Sequence, residues 1–494
     1  MSVVSFADGR TYRQALTVAI LFVTFVLVTS GPWLREPRFY AEEAQLFISN
    51  LHDGGLWDAL TFLHRRGYYQ LPINLSAFLA TRFDIAVWPA VTQGIALVVQ
   101  TFVVLSPFVF MSVSHPARSS RLALALGFAF VLPNAEIWLT TTGLHFLLAI
   151  PVLLVVTDSC RIATTRRANW TTVYLALACL SGPPACLFAP AFGLRWMLCR
   201  SRVALVQAVV VTALAALQVL LMRFGELPGS IAAPGTLLEQ LGLGVPAVWL
   251  GQSVVLPLAG FSGFDAVGSI IVGYPGIAAA LVVALWGAAW LVVRRDADRR
   301  RSVVFLAMFV VTYLSVVLAQ QEVVPSTLLQ EPITGERYTV VTSHATVLLL
   351  FLVLSRWASG ARGRGVQVVC LLAIVVAGGW YGFTGRKQFP GPGWGTELGA
   401  ERDGARPCGL IVPGPVPWII QLDRERLRRE IASRLVAVGY LDPADSDDPS
   451  AMTRAIRLYK EQVLHRPARS LEIGAGMIER LCGYAALLAP YRKQ

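Results

Sequence analysis

Residues 32–83 read PWLREPRFYAEEAQLFISNLHDGGLWDALTFLHRRGYYQLPINLSAFLATRF. They form the first polar segment after an apolar run at 15–30. They carry Glu42, Glu43, His52, Asp53, Asp58, His64, Arg65 and Arg66 in a chain otherwise poor in charge. Polar groups beside a bilayer are costly unless they are solvated, paired or used. The stretch therefore reads as a loop at the working end of a membrane protein, and the apolar runs on either side of it decide the fold.

Working outward, 55% of the 494 residues are apolar and 15% charged, with a mean hydropathy of +0.59. A soluble domain cannot hide that much apolar surface, so most of the chain belongs in lipid. Apolar runs lie near 15–30, 69–83, 86–113, 122–133, 137–158, 169–181, 184–197, 203–222, 238–260, 266–293, 302–319, 338–355 and 365–383. They predict an all-α, polytopic helical membrane domain over 1–383 with about 11 to 13 transmembrane helices. The stretches 69–113 and 237–260 resist this accounting, each holding one helix too many or too few.

The net charge of +12 does not point to nucleic acid, because no basic stripe with interleaved aromatics is present. Basic residues instead cluster in short turns at 161–167, 195–202, 294–301 and 356–364, the positive-inside pattern that orients helices. Arg10 and Arg13 precede the first run and no small-residue cleavage site follows it. The run is therefore expected to be a retained span with a cytoplasmic N-terminus. By parity, the loop 31–69 and the joint Ser181-Gly182-Pro183-Pro184 face the extracytoplasmic side.

After Trp380 the apolar pattern stops. Residues 384–494 hold 17 Lys and Arg against 13 Asp and Glu, with Pro- and Gly-rich stretches, which is the composition of a soluble tail. We divide it into a linker at 384–430 and a small, mainly helical region at 431–494, extracytoplasmic by the same parity. Seven cysteines form no CxxC and show no metal-ligand spacing with the six histidines, so no structural metal is expected. Cys179 with Cys186, and Cys408 with Cys482, are either buried free thiols or oxidised pairs.

Four places carry candidate chemistry. Glu42 and Glu43 sit in what reads as a short amphipathic helix opening after Pro37, either as a general base or as a solvated face partnered by Arg35 and Arg38. Arg65 and Arg66, before Gly67 and Tyr68, suit phosphate recognition or anchor the next helix at the membrane edge. Asn134, Glu136, Trp138 and His145 mark the outward end of a helix pair, lining a water-filled cavity or bracing the joint. Arg337 and Tyr338, before a late span, combine a cation with a helix N-terminus that suits phosphate, or form an interfacial anchor.

In this order the residues resemble the GT-C superfamily of polytopic glycosyltransferases, which take sugar from polyprenyl-phosphate donors. Its acidic motif matches Glu42-Glu43, a Gly-Tyr followed by Pro matches Gly67-Tyr68 and Pro72, and Asn-x-Glu-x-Trp matches Asn134, Glu136 and Trp138. Ser-Gly-Pro matches Ser181 to Pro183, and Arg-Tyr matches Arg337-Tyr338. Ala44 stands where the family has Gly, and His145 where an aromatic-flanked Gln is common. The resemblance implies transfer from a lipid-linked sugar donor to a cell-envelope glycan or lipid acceptor, outside a bacterial inner membrane. Glu43 or Glu42 would be the base. Arg337, Tyr338, Arg65, Arg66, Tyr68, Asn134, Glu136, Trp138 and His145 would bind substrate.

Relatives differ in whether a divalent ion assists, so no cofactor is assigned. Leu435, Gly439, Tyr440 and Leu441, with Thr453, Ala455 and Ile456, resemble the three-helix peptidoglycan-binding fold, which implies peptidoglycan as a partner of 431–494. The alternatives are a transporter or flippase of a lipid-linked saccharide, and a wall-anchoring structural protein. No glycine-rich nucleotide loop is present.

Overall fold

The computed structural model describes residues 9–39, 43–64, 67–111, 118–131, 139–157, 165–223, 245–293, 339–357, 361–384, 393–403, 410–412, 418–420, 424–463 and 481–482. These are mostly helical; among the described residues the strands are one antiparallel ribbon pairing Leu410–Val412 with Trp418–Ile420, with an isolated bridge between Leu63 and Tyr69. Among the described residues three helices are long and apolar enough to cross a membrane: Gly9–Thr29, Ile85–Phe110 and Arg202–Met222. Several shorter apolar helices accompany them, including Leu71–Ala80, Val340–Phe351 and Gly365–Trp380. The protein is thus an all-α chain built for association with a membrane. The chain divides into two compact units.

The first unit comprises Met1–Gly31, Leu60–Ile73 and Gly94–Lys387. Its first helix is apolar on both faces over most of its length. Gly9–Thr29 buries Val18, Phe22 and Val26 while turning Leu16, Ile20 and Val28 outward, an arrangement that water penalises and lipid does not. Phe25 packs on Phe130 with ring centroids 4.9 Å apart. The helix Ala361–Thr384 passes so close to Phe130 that a Cβ on Gly378 would stand 2.1 Å from the Phe130 carbonyl oxygen, so a small residue is required there. Polar side chains tie other helices together: Arg195 donates to Gln207 at 2.8 Å, and Ser253 meets the Thr342 hydroxyl at 2.6 Å.

Both stretches that resisted the span count are broken. Within 69–113, Leu71–Ala80 has 10 residues, a length of about 15 Å at roughly 1.5 Å per residue, which falls short of a bilayer core. Asp84 then caps a new turn by accepting from the Ala86 N–H at 2.8 Å, and Trp88–Phe110 follows. Within 237–260, the helix Val245–Leu250 runs into a π-helical turn at Gly251–Val255, and the backbone leaves helical geometry again at Gly260 (φ 67°, ψ −169°).

The second unit comprises Pro32–Ala59, Asn74–Gln93 and Gln388–Gln494. Trp394 opens the helix Trp394–Arg402 and anchors it. Its indole N–H donates to the Ile85 carbonyl at 2.7 Å, and its ring meets Phe39 edge-on with centroids 5.0 Å apart. Part of the stretch read as linker is therefore folded. Further on, Arg424–Ala437 and Pro449–Gln462 enclose a core of Leu427, Ile431, Leu435, Leu441, Met452, Ile456, Tyr459 and Leu481. The first of these helices stops at Gly439 (φ 79°), where the Tyr440 N–H returns to the Leu435 carbonyl at 2.8 Å and the Gly439 N–H to that of Val436 at 3.0 Å. That pair of bonds is the Schellman ending, and it needs a residue at ease in left-handed backbone. Asp448 caps the second helix, accepting from the Ser450 and Ala451 N–H groups.

Candidate functional site

The first unit gathers a polar cluster around a tight turn. Leu63 and Tyr69 pair as an antiparallel bridge. The His64 N–H donates to the Tyr68 carbonyl at 3.1 Å, and the Gly67 N–H to that of His64 at 2.7 Å. Gly67 sits at φ 82°, so the Gly of Gly67-Tyr68 is a backbone requirement. Gln218 fixes the turn from the long helix Arg202–Met222. Its Oε1 accepts from the Tyr69 N–H at 2.9 Å, and its Nε2 donates to the carbonyls of Tyr69 and Cys179, both at 3.0 Å. In an apolar environment an amide that satisfies three backbone groups is a strong constraint, because each group would otherwise be stranded away from water.

Tyr68 lies between two histidines. It stacks on His64 with centroids 4.3 Å apart and its hydroxyl is 3.4 Å from His64 Nε2, while the His145 ring lies 6.4 Å away on centroids. His145 is carried by the short helix Leu144–Leu147, and its Nδ1 is 3.2 Å from Nε2 of the buried Gln70. Gly182, at φ 145°, packs against the same imidazole; a Cβ there would stand 3.0 Å from His145 Cβ. Residues from three separate parts of the sequence, Tyr68, His145 and Gly182, thus meet around the His145 ring. Tyr68 and His145 are half-buried, whereas Gln70 and Gln218 are buried.

Glu43 belongs to the second unit. It begins a π-helical turn, Glu43–Ile48, and not a regular amphipathic helix, and it is 1% exposed. The solvated face open to it on sequence grounds is therefore not its environment. Arg38, one of the two partners expected for such a face, bonds at least in part to Glu36, at 3.5 Å, and its carbonyl accepts from Gln93 Nε2 at 3.1 Å. A second carboxylate, Glu397, is fully buried in this unit one turn after Trp394.

Of the residues singled out in the sequence, the structure brings Tyr68 and His145 together and buries Glu43. Glu42, Arg65, Arg66, Asn134, Glu136, Trp138, Arg337 and Tyr338 lie outside the described residues. Sequence reasoning missed Gln70, Gln218 and Glu397. For Gln218 a signal existed, since an amide far inside an apolar helix must find a partner. Among the described residues no group of three or more His, Cys, Asp or Glu is arranged to hold a metal ion. Cys179, Cys186 and Cys370 are free thiols, whereas Cys199 and Cys482 are disulfide-bonded. Compared with known protein families, curated proteins and solved structures, the chain matches none.

Proposed function

We propose that the protein is a polytopic membrane glycosyltransferase of the GT-C kind, with about 11 to 13 spans, that passes a sugar from a polyprenyl-phosphate donor to a cell-envelope acceptor. The observation that carries this reading is Glu43, a carboxylate withdrawn from water in the segment that follows the first apolar helix. A carboxylate kept there is suited to take the proton of an incoming hydroxyl as the anomeric carbon is displaced with inversion. Arg337, with Arg65 or Arg66, holds the donor phosphate. Tyr68 and His145 meet the sugar, and Tyr338, Asn134, Glu136 and Trp138 complete the binding surface. The N-terminus is cytoplasmic, and the tail lies outside the bacterial inner membrane, where 431–494 binds peptidoglycan.

Glu43→Gln is expected to lower transfer about 100-fold or more. The measurement is radiolabelled sugar passed from lipid phosphate to envelope acceptor in isolated membranes. Full transfer by both Glu43→Gln and Glu42→Gln would remove the proposal.

A second reading, a transporter of a lipid-linked saccharide, draws on the interrupted helix at 245–273. Discontinuous helices with buried polar groups such as Gln252 and Ser253 are how transporters build sites within the membrane. Reconstituted protein that moves labelled lipid between leaflets without releasing its sugar would select this reading.

A further inference from the structure

We infer that Cys179 and Cys186 are joined as a disulfide in the native protein, clamping the turn that carries Ser181, Gly182 and Pro183. The inference rests on the placement of that turn outside the membrane in the reading above. Cys179 lies one residue before the end of the helix Thr165–Leu180, and Cys186 closes the short helix Pro183–Cys186. Both are buried, at 0% and 8% exposure, and both are thiols in the structure. Cys186 Sγ is 3.6 Å from the Cys179 carbonyl oxygen, and the two thiols are in hydrogen-bonding contact. Two thiols in contact across a single turn are placed for the bond, which forms where the Cα separation and the Cβ directions suit it.

The surroundings give the bond a purpose. The Cys179 carbonyl accepts from Gln218 Nε2, the amide that also holds Tyr69, and Gly182 presses on His145. A covalent tie across the turn fixes both contacts at once.

The chemistry needs an oxidant, which extracytoplasmic compartments supply as other disulfides. With glutathione disulfide, the less buried Cys186 attacks first as thiolate and releases one glutathione thiolate, leaving a mixed disulfide. The Cys179 thiolate then displaces the second glutathione. One Sγ–Sγ bond forms and one glutathione S–S bond breaks. The two cysteine protons pass to the two released thiolates.

The test uses the full chain in detergent across a glutathione redox series, followed by denaturation, alkylation and peptide mass analysis. The peptide holding both cysteines is expected two hydrogens light and unalkylated at the oxidised end. Alkylation of both residues throughout the series overturns the inference. A second arm denatures intact cells directly in maleimide, so that every free thiol is alkylated, and both residues are expected to be protected. Labelling in cells, despite closure in the redox series, refutes the native bond and traces the failure to the outward placement, leaving the geometry intact. In a third arm, Cys179→Ser with Cys186→Ser is expected to melt below the wild type in oxidising buffer and level with it in reducing buffer. Equal melting in both buffers overturns the clamp.

Discussion

The helices Arg202–Met222 and Pro449–Gln462 are built inside out relative to each other. The first turns Leu205, Val206, Val209, Val219 and Leu220 outward and keeps its amides, Gln207 and Gln218, in the interior. The second turns Arg454 and Arg457 outward and keeps Met452, Ala455, Ile456 and Tyr459 in its core. The difference lies in the solvent each helix faces. Where lipid surrounds a helix, apolar burial gives little and the specific contacts are hydrogen bonds; where water surrounds it, apolar burial leads and polar groups cap and solubilise.

Substitutions should separate these two regimes. The largest effect is expected from Leu435→Ala, which empties a fully buried site between the tail helices and should destabilise them by about 2–5 kcal/mol. Proteolysis of 424–463 in the full chain, read against denaturant, measures it. Gln218→Leu keeps the volume and removes three hydrogen bonds, stranding the Tyr69 N–H, whereas the Cys179 carbonyl still accepts from the Gly182 N–H at 3.4 Å. A loss of about 1–3 kcal/mol is expected for the stranded group. Thermal unfolding in detergent reads it, and an unchanged melt would mean that hydrogen bonding does not govern that region.

A smaller effect follows at Gly439→Ala. No neighbour stands within 4 Å of the added Cβ, so the loss is backbone strain alone, about 1–2 kcal/mol, seen in the same proteolysis assay. Asp448 should give the smallest. Its bonds from the Ser450 hydroxyl and the Ser450 N–H hold its carboxyl below the ordinary value of 3.8, so the charged form belongs to the folded state. Its contribution is complete above the unfolded value and disappears as pH falls through the lower folded one. An acid titration of tail unfolding should therefore fall less steeply in Asp448→Asn than in the wild type.

What the sequence reveals follows the same division. The ending Leu435-Gly439-Tyr440 is legible because a Schellman turn is local, with a Gly and its flanking apolar residues six positions apart at most. The long apolar helices are legible because length and composition are enough. The meeting of Tyr68 with His145, and of His145 with Gly182, is not, since it depends on lateral packing between elements 77 and 37 residues apart. Glu43 was singled out by its position after the first apolar helix, but its burial required the folded π-turn. Glu397 was hidden inside a stretch whose glycines and prolines suggest a linker, although Trp394 beside it was the clue that the stretch docks.

Cys199 tests the charge pattern. It adjoins the basic turn at 195–202, which the positive-inside pattern places in a reducing compartment, yet it is disulfide-bonded. Labelling of intact cells with an impermeant maleimide after reduction should leave Cys199 unmodified if the turn faces inward, and modify it if the orientation is reversed.

The indole of Trp394 has a practical consequence for anyone shortening this chain. A version stopped at Thr384, where the hydrophobic pattern runs out, would uncover the Ile85 carbonyl and one edge of Phe39. Trimmed forms meant for purification should keep everything through Arg402, so that the tryptophan stays in its socket.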